Sequence, residues 1–209
     1  MSSATGGHDR DAHHVVQFFD TFESRAVAVA RFLEARAVLG DHLLVVAKPE
    51  HWVNIRRELD VLGFGTAAAE TDGRLVVRDA HATLGLVSRY NEPDAEAFEA
   101  SVGALVRTLS TERPLSIYGE MVDVLAERGE LAAAVALESM WNALAARGPF
   151  TLMCGYASAH FVAPAAGVRL RQVCEAHGHV RTGADDLLGR WLLNTANVPF
   201  RDDASGMLA

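Results

Sequence analysis

His42-Leu43-Leu44-Val45-Val46-Ala47 is apolar throughout after its histidine, and Lys48-Pro49 ends the run. It has the length of a strand and the composition of one covered on both faces. Just beyond it, Pro49 stands where a helix would open, and Trp52, Ile55, Leu59 and Leu62 recur at the helical period. A doubly buried strand followed at once by an amphipathic helix is the repeating unit of an α/β protein with a mainly parallel sheet flanked by helices.

The same unit is legible on both sides of it. Further strands are expected over 14–19, 74–78, 115–118 and 150–155, and helices over 23–37, 49–62, 121–127, 130–146 and 168–176. Another helix is opened by Pro93-Asp94 and buries Phe98, Val102, Leu105, Val106 and Leu109. After His179 the pattern weakens to a short helix over 185–194, whose Leu187, Leu188, Trp191 and Leu192 are expected to pack back onto the core. The chain thus divides into a flexible leader (1–12), one domain (13–181) and a C-terminal helix with a tail (182–209).

The 209 residues, 50% hydrophobic and 22% charged, suffice for one domain with a proper core. Nineteen basic against 27 acidic residues leave a net charge of -8, which removes the usual electrostatic source of nucleic-acid affinity. Lys48 is the only lysine and Pro49 follows it, so a phosphate loop with its Gly-Lys pair is absent. Two cysteines build no disulfide framework, no leader of secretory type is visible, and no apolar run approaches the ~20 residues of a membrane span. A cytoplasmic protein without direct membrane or nucleic-acid partners is expected.

Several motifs lose their force in context. Gly63-Phe64-Gly65-Thr66-Ala67-Ala68 resembles a dinucleotide fingerprint, yet it follows a helix where the pyrophosphate turn needs a strand, so it reads as a helix end and a turn. Cys174-Glu175-Ala176-His177-Gly178-His179 has no second ligand pair at zinc spacing and reads as a helix ending in solvated histidines, so no metal or cofactor is expected. Cys154 lies in a very apolar run and reads as packing, although a pairing with His160 or His177 would make it a nucleophile.

Polar residues in awkward places remain. Glu120 follows the strand 115–118 and projects from the carboxyl end of the sheet, where open parallel sheets bind ligands. Glu138 and Asn142 share a helix face, with Trp141 beside them. Gln17 and Tyr156 lie near strand ends that would converge on the same edge. These groups either orient a ligand or tie loops to the sheet.

Four stretches, in order, resemble the MEDS family: His13-His14-Val15-Val16-Gln17-Phe18-Phe19, Tyr118-Gly119-Glu120-Met121, Ala136-Leu137-Glu138-Ser139-Met140-Trp141-Asn142-Ala143-Leu144 and Leu152-Met153-Cys154-Gly155-Tyr156. That family is the sensory domain of methanogen and methylotroph regulators, typified by the repressor of dichloromethane dehalogenase. The resemblance implies a RecA-like three-layer scaffold with Glu120 near the acidic end of a metal-coordinating strand, but without a phosphate loop. It also implies a sensor of small molecules, hydrocarbon derivatives among them, that feeds a kinase or DNA-binding output.

A single ligand pocket is therefore expected, with Gln17, Glu120, Glu138, Asn142 and Tyr156 orienting the ligand and Phe18, Phe19 and Trp141 lending apolar contact. About 30 residues after His179 are too few for a DNA-binding or kinase module, so output is expected through a separate protein or a change in self-association. Two alternatives stay open: an enzyme using Glu120 or Cys154 with a histidine, and a pseudo-ATPase module that binds a kinase or an anti-sigma-type partner.

Overall fold

The computed structural model describes residues 14–202; the expected leader and the last residues of the tail lie outside the described residues. The chain begins with β1 (His14–Phe19), α1 (Phe22–Val38), β2 (His42–Ala47), α2 (Pro49–Val61), α3 (Thr66–Thr71) and β3 (Leu75–Asp79). There follow α4 (Ala80–Leu86), a small hairpin of β4 (Ser88–Arg89) and β5 (Glu92–Pro93), and a helical run formed by α5 (Ala95–Phe98), a π turn and α6 (Ala104–Leu109). The second half comprises β6 (Leu115–Gly119), α7 (Met121–Glu127), α8 (Leu131–Ala145), β7 (Thr151–Ala157), α9 (Gly167–Glu175), β8 (His179–Thr182), α10 (Leu187–Thr195) and β9 (Arg201–Asp202).

Seven strands form one sheet in the order β3-β2-β6-β7-β1-β8-β9, with every adjacent pair parallel. The expected α/β architecture of a parallel sheet between helices is what the chain adopts. Central strands are buried along their length because both faces are covered. Since successive side chains point to opposite faces, each strand feeds two cores. Val16, Phe18, Leu44, Ile117, Leu152, Cys154 and Tyr156 meet α4 and α6 to α10, whereas Phe19, Leu43, Val45, Tyr118 and Met153 meet α1 to α3. The turn Gly63-Phe64-Gly65 follows α2, with both glycines at positive φ, as its helical context requires.

The sheet continues past residue 181. β8 pairs in parallel with β1, from Val15↔His179 to Phe18↔Thr182, and β9 extends that edge. Four residues with alternating burial are too short a signal to read without the strand they join. α10 is fastened by reciprocal capping. Asp20, just past β1, accepts from Leu188 N–H and Gly189 N–H (2.6 and 2.9 Å), while Asp186 accepts from Asp20 N–H and the Ser24 hydroxyl (2.9 and 2.6 Å). Leu192 and Leu193 are buried in the core, whereas Leu187 and Trp191 face outwards.

This packing predicts that Leu193→Ala costs about 2–5 kcal/mol in denaturant unfolding at unchanged m-value, as a buried leucine truncation does. Trp191→Ala, 57% exposed, should cost less than about 1 kcal/mol.

Candidate functional site

The carboxyl ends of the strands carry a buried network of charges. Glu120 continues β6 by donating its N–H to Val46 O (2.8 Å), then turns its carboxylate towards α1 and α2. One oxygen accepts from the Tyr118 hydroxyl (2.6 Å) and Arg25 (3.0 Å); the other accepts from Lys48 N–H (2.7 Å) and faces His51 Nδ1 (2.9 Å). The second guanidinium nitrogen of Arg25 pairs with Asp123 (3.3 Å), which also meets Lys48 Nζ (3.0 Å), His160 Nε2 (3.2 Å) and the N–H of Ala157 (2.7 Å). Lys48 reaches outwards to Glu127 (2.7 Å). Gly155 makes room for this arrangement, since a Cβ there would lie 2.6 Å from the Tyr118 oxygen.

Electrostatics hold the network charged. Burial by itself raises the pKa of Glu120 and Asp123, but Arg25, helped by His51 at Glu120 and by His160 and Lys48 at Asp123, holds both carboxyls below the ordinary range. Burial opposes charge on Arg25 too, and Tyr118, Asp123 and Glu120 outweigh it. Outside the network lies an open crevice of about 320 Å³, bounded by Phe19 to Glu23, Lys48, His51, Glu127 and His160. It falls between β1, whose connection runs to β2 on one side, and β7, whose connection runs to β8 on the other, which is the switch point where parallel sheets bind ligands.

A second polar cluster occupies the other face, under α8 and α9. Glu138 is fully buried; one oxygen accepts from the Tyr156 hydroxyl (2.9 Å), and the other lies 3.2 Å from Cys154 Sγ, 3.3 Å from His14 Nε2 and 3.4 Å from His177 Nε2. Asn142 joins it by accepting from His14 Nδ1 (2.8 Å) while donating to Ala176 O (2.8 Å). Burial raises the Glu138 pKa, but His177 and His14 bring it well below the usual range. The thiol of Cys154 and the phenol of Tyr156 are both pushed up, by burial and then by Glu138.

The single expected pocket is thereby corrected into two sites. Glu138, Asn142 and Tyr156 come together, and Phe18 stacks on Tyr156 (5.9 Å between centroids). Glu120 does not join them: with Phe19, which lies under Arg25 (5.0 Å), it serves the crevice network on the opposite face. Gln17 shares the Phe19 face by strand alternation, and Trp141 packs edge-on against Phe98 and Phe150 in the core. The solvated reading of His177 is also corrected, because its side chain is fully enclosed. Cys174 stays out of the cluster, buried in the core with its thiol pKa raised to about 12 by burial and Glu175.

Sequence reasoning missed Arg25, His51 and Asp123 in the network. Two carried a signal: Arg25 falls on the stripe of Val29 and Leu33, and Asp123 is flanked by Val122 and Val124, so each is a charge on an apolar helix face that needs a buried partner.

The family model for MEDS (MEthanogen/methylotroph, DcmR Sensory domain) matches residues 13–178, most of the chain and both sites. The protein belongs to that family of sensory domains. No curated protein matches the chain.

The depressed carboxyls fix a pH dependence. Unfolded Asp and Glu take up protons near pH 4, the folded Glu120 and Asp123 only lower, so the unfolded state binds more protons as pH falls. Thermal melts should show stability lost progressively from about pH 5 downwards. Asp123→Asn should be about 3–5 kcal/mol less stable at neutral pH and show a shallower acid dependence.

Proposed function

We propose that this chain is a cytoplasmic sensory module that binds a small molecule reversibly in the crevice at the strand carboxyl ends and signals to a separate output protein, a kinase or a regulator, or through its own association state. The observation that carries this is the open 320 Å³ crevice at the switch point, with Lys48 spanning from buried Asp123 to exposed Glu127 at its edge. A ligand that draws Lys48 away from Glu127 acts on Asp123, which holds the N–H of Ala157 and His160 at the end of β7. Occupancy is thus coupled to the loop leaving β7, and a signal follows if the ligand favours one arrangement of that loop.

The crevice suits a small neutral molecule that offers a hydrogen-bond acceptor to Lys48. Asp20, Glu23, Glu50, Asp123 and Glu127 line it against Arg25 and Lys48, a balance that repels a triphosphate. Binding without turnover is favoured because both candidate catalytic groups are sequestered: each Glu120 oxygen already has two partners, and Cys154 is wholly enclosed. The free thiols of Cys154 and Cys174 suit a reducing compartment.

Thermal shift and equilibrium dialysis with a panel of short-chain alcohols, ketones and halomethanes test this, with ATP as a control. At least one probe should raise the melting temperature saturably, be recovered chemically unchanged, and bind Lys48→Met at least about tenfold more weakly, the ~1.4 kcal/mol of one charged contact. No binding by any probe, conversion to product, or stabilisation by ATP would overturn the proposal.

A further inference from the structure

We infer that His14, Glu138, Cys154 and His177 form a tetrahedral site for a divalent metal ion that favours sulfur and imidazole, zinc foremost. The site lies on the other face of the sheet from the crevice and stands whether or not the crevice binds a ligand. One atom from each of the four buried residues lies within 4.8 Å of the others.

The spacing is that of a coordination shell. Zinc bonds of about 2.0 Å to N or O and about 2.3 Å to S, set at tetrahedral angles, place neighbouring donor atoms roughly 3.3–3.7 Å apart. Glu138 Oε2 lies 3.3 Å from His14 Nε2, 3.4 Å from His177 Nε2 and 3.2 Å from Cys154 Sγ, and His14 Nε2 lies 3.3 Å from Cys154 Sγ. Three of the six edges of the tetrahedron thus fall within the range that a bound ion sets, and the Glu138–Cys154 edge is 0.1 Å short of it.

Hydrogen positions point the same way. Asn142 donates through its amide nitrogen to Ala176 O, so its oxygen faces His14 and must accept from Nδ1–H. His177 Nδ1 lies 2.6 Å from the carbonyl of Val173, which can only accept. With both Nδ1 atoms so engaged, Nε2 is the ring nitrogen that each histidine turns to Glu138, and His177 Nε2 is buried without a hydrogen-bond partner. Two imidazole nitrogens, a carboxylate oxygen and a sulfur converging in one buried space are the donor set that such a cation takes.

The surroundings match what a metal centre uses to orient its ligands. Each histidine donates its other N–H to a fixed oxygen, and Tyr156 holds the remaining Glu138 oxygen. On binding, Cys154 exchanges its S–H bond for a metal–sulfur bond and the proton leaves to solvent, so thiolate and carboxylate together balance the dication. Four protein ligands leave no open position, which makes the site structural in type. A cavity of about 550 Å³ bounded by His177 and residues 197–201 lies beside the site.

The experiment uses the whole chain, stripped with a chelator and titrated with Co²⁺ and then Zn²⁺. Expected are one equivalent of cobalt, tetrahedral d–d bands and a thiolate-to-cobalt charge-transfer band, all displaced by zinc. Cys154→Ser should remove the charge-transfer band, Cys174→Ser should leave it intact, and Asn142→Ala should weaken metal binding about 10–100-fold with all four ligands present. Should Cys154→Ser fail to fold, the wild type and Cys174→Ser still decide the matter. Absence of the band from the wild type, its persistence in Cys154→Ser or its loss in a folded Cys174→Ser would overturn the proposal.

Discussion

An ionised carboxylate taken out of water costs several kcal/mol unless donors surround it, and among the described residues this fold leaves Glu120, Asp123 and Glu138 with no exposure at all. Much of the polar architecture follows from satisfying them. Arg25 must enter the sheet-facing side of α1 because its fork is what joins Glu120 to Asp123. Tyr118 must aim its hydroxyl at Glu120, and residue 155 must then lack a side chain. Segments distant in sequence, from α1 to the β7 terminus, are bound to one another through two acidic groups.

The two faces of the sheet have divided the polar work. At the carboxyl ends, the network remains in touch with solvent through the Lys48–Glu127 pair, which borders the crevice. Under α8 and α9, the Glu138 cluster is enclosed and joins β1, β7, α8 and the approach to β8. An enclosed cluster maintains a fold; an open one can change with occupancy. A sensory domain needs both, since a ligand-dependent rearrangement carries information only when the remaining scaffold resists moving with it.

Much of this was legible from the residues. The apolar runs of β1, β2, β6 and β7 and the stripes of α1, α2 and α8 are long and strongly patterned, so their positions follow from hydrophobic spacing. Glu138 and Asn142 were recognisable as neighbours because both stand on one helix face, and Tyr156 was expected near the same edge. His177 was misread because its neighbours Glu175, Gly178 and His179 suggest a solvated helix end, and only the parallel pairing of β8 with β1 carries it inside. Arg25 and Asp123 are anomalies in their own helices, but nothing local says that they answer each other.

The amino-acid sequence by itself determined a parallel α/β sheet between helices, the absence of a phosphate loop and the residues that mark the MEDS family, because these depend on local periodicity and on residue type. Only the tertiary structure decided which face each polar side chain serves. Strand alternation sends neighbouring residues to opposite sides, and the pairing of strands far apart in the chain selects their partners, so Glu120 and Glu138, alike on paper as acids beside the sheet, belong to two separate sites.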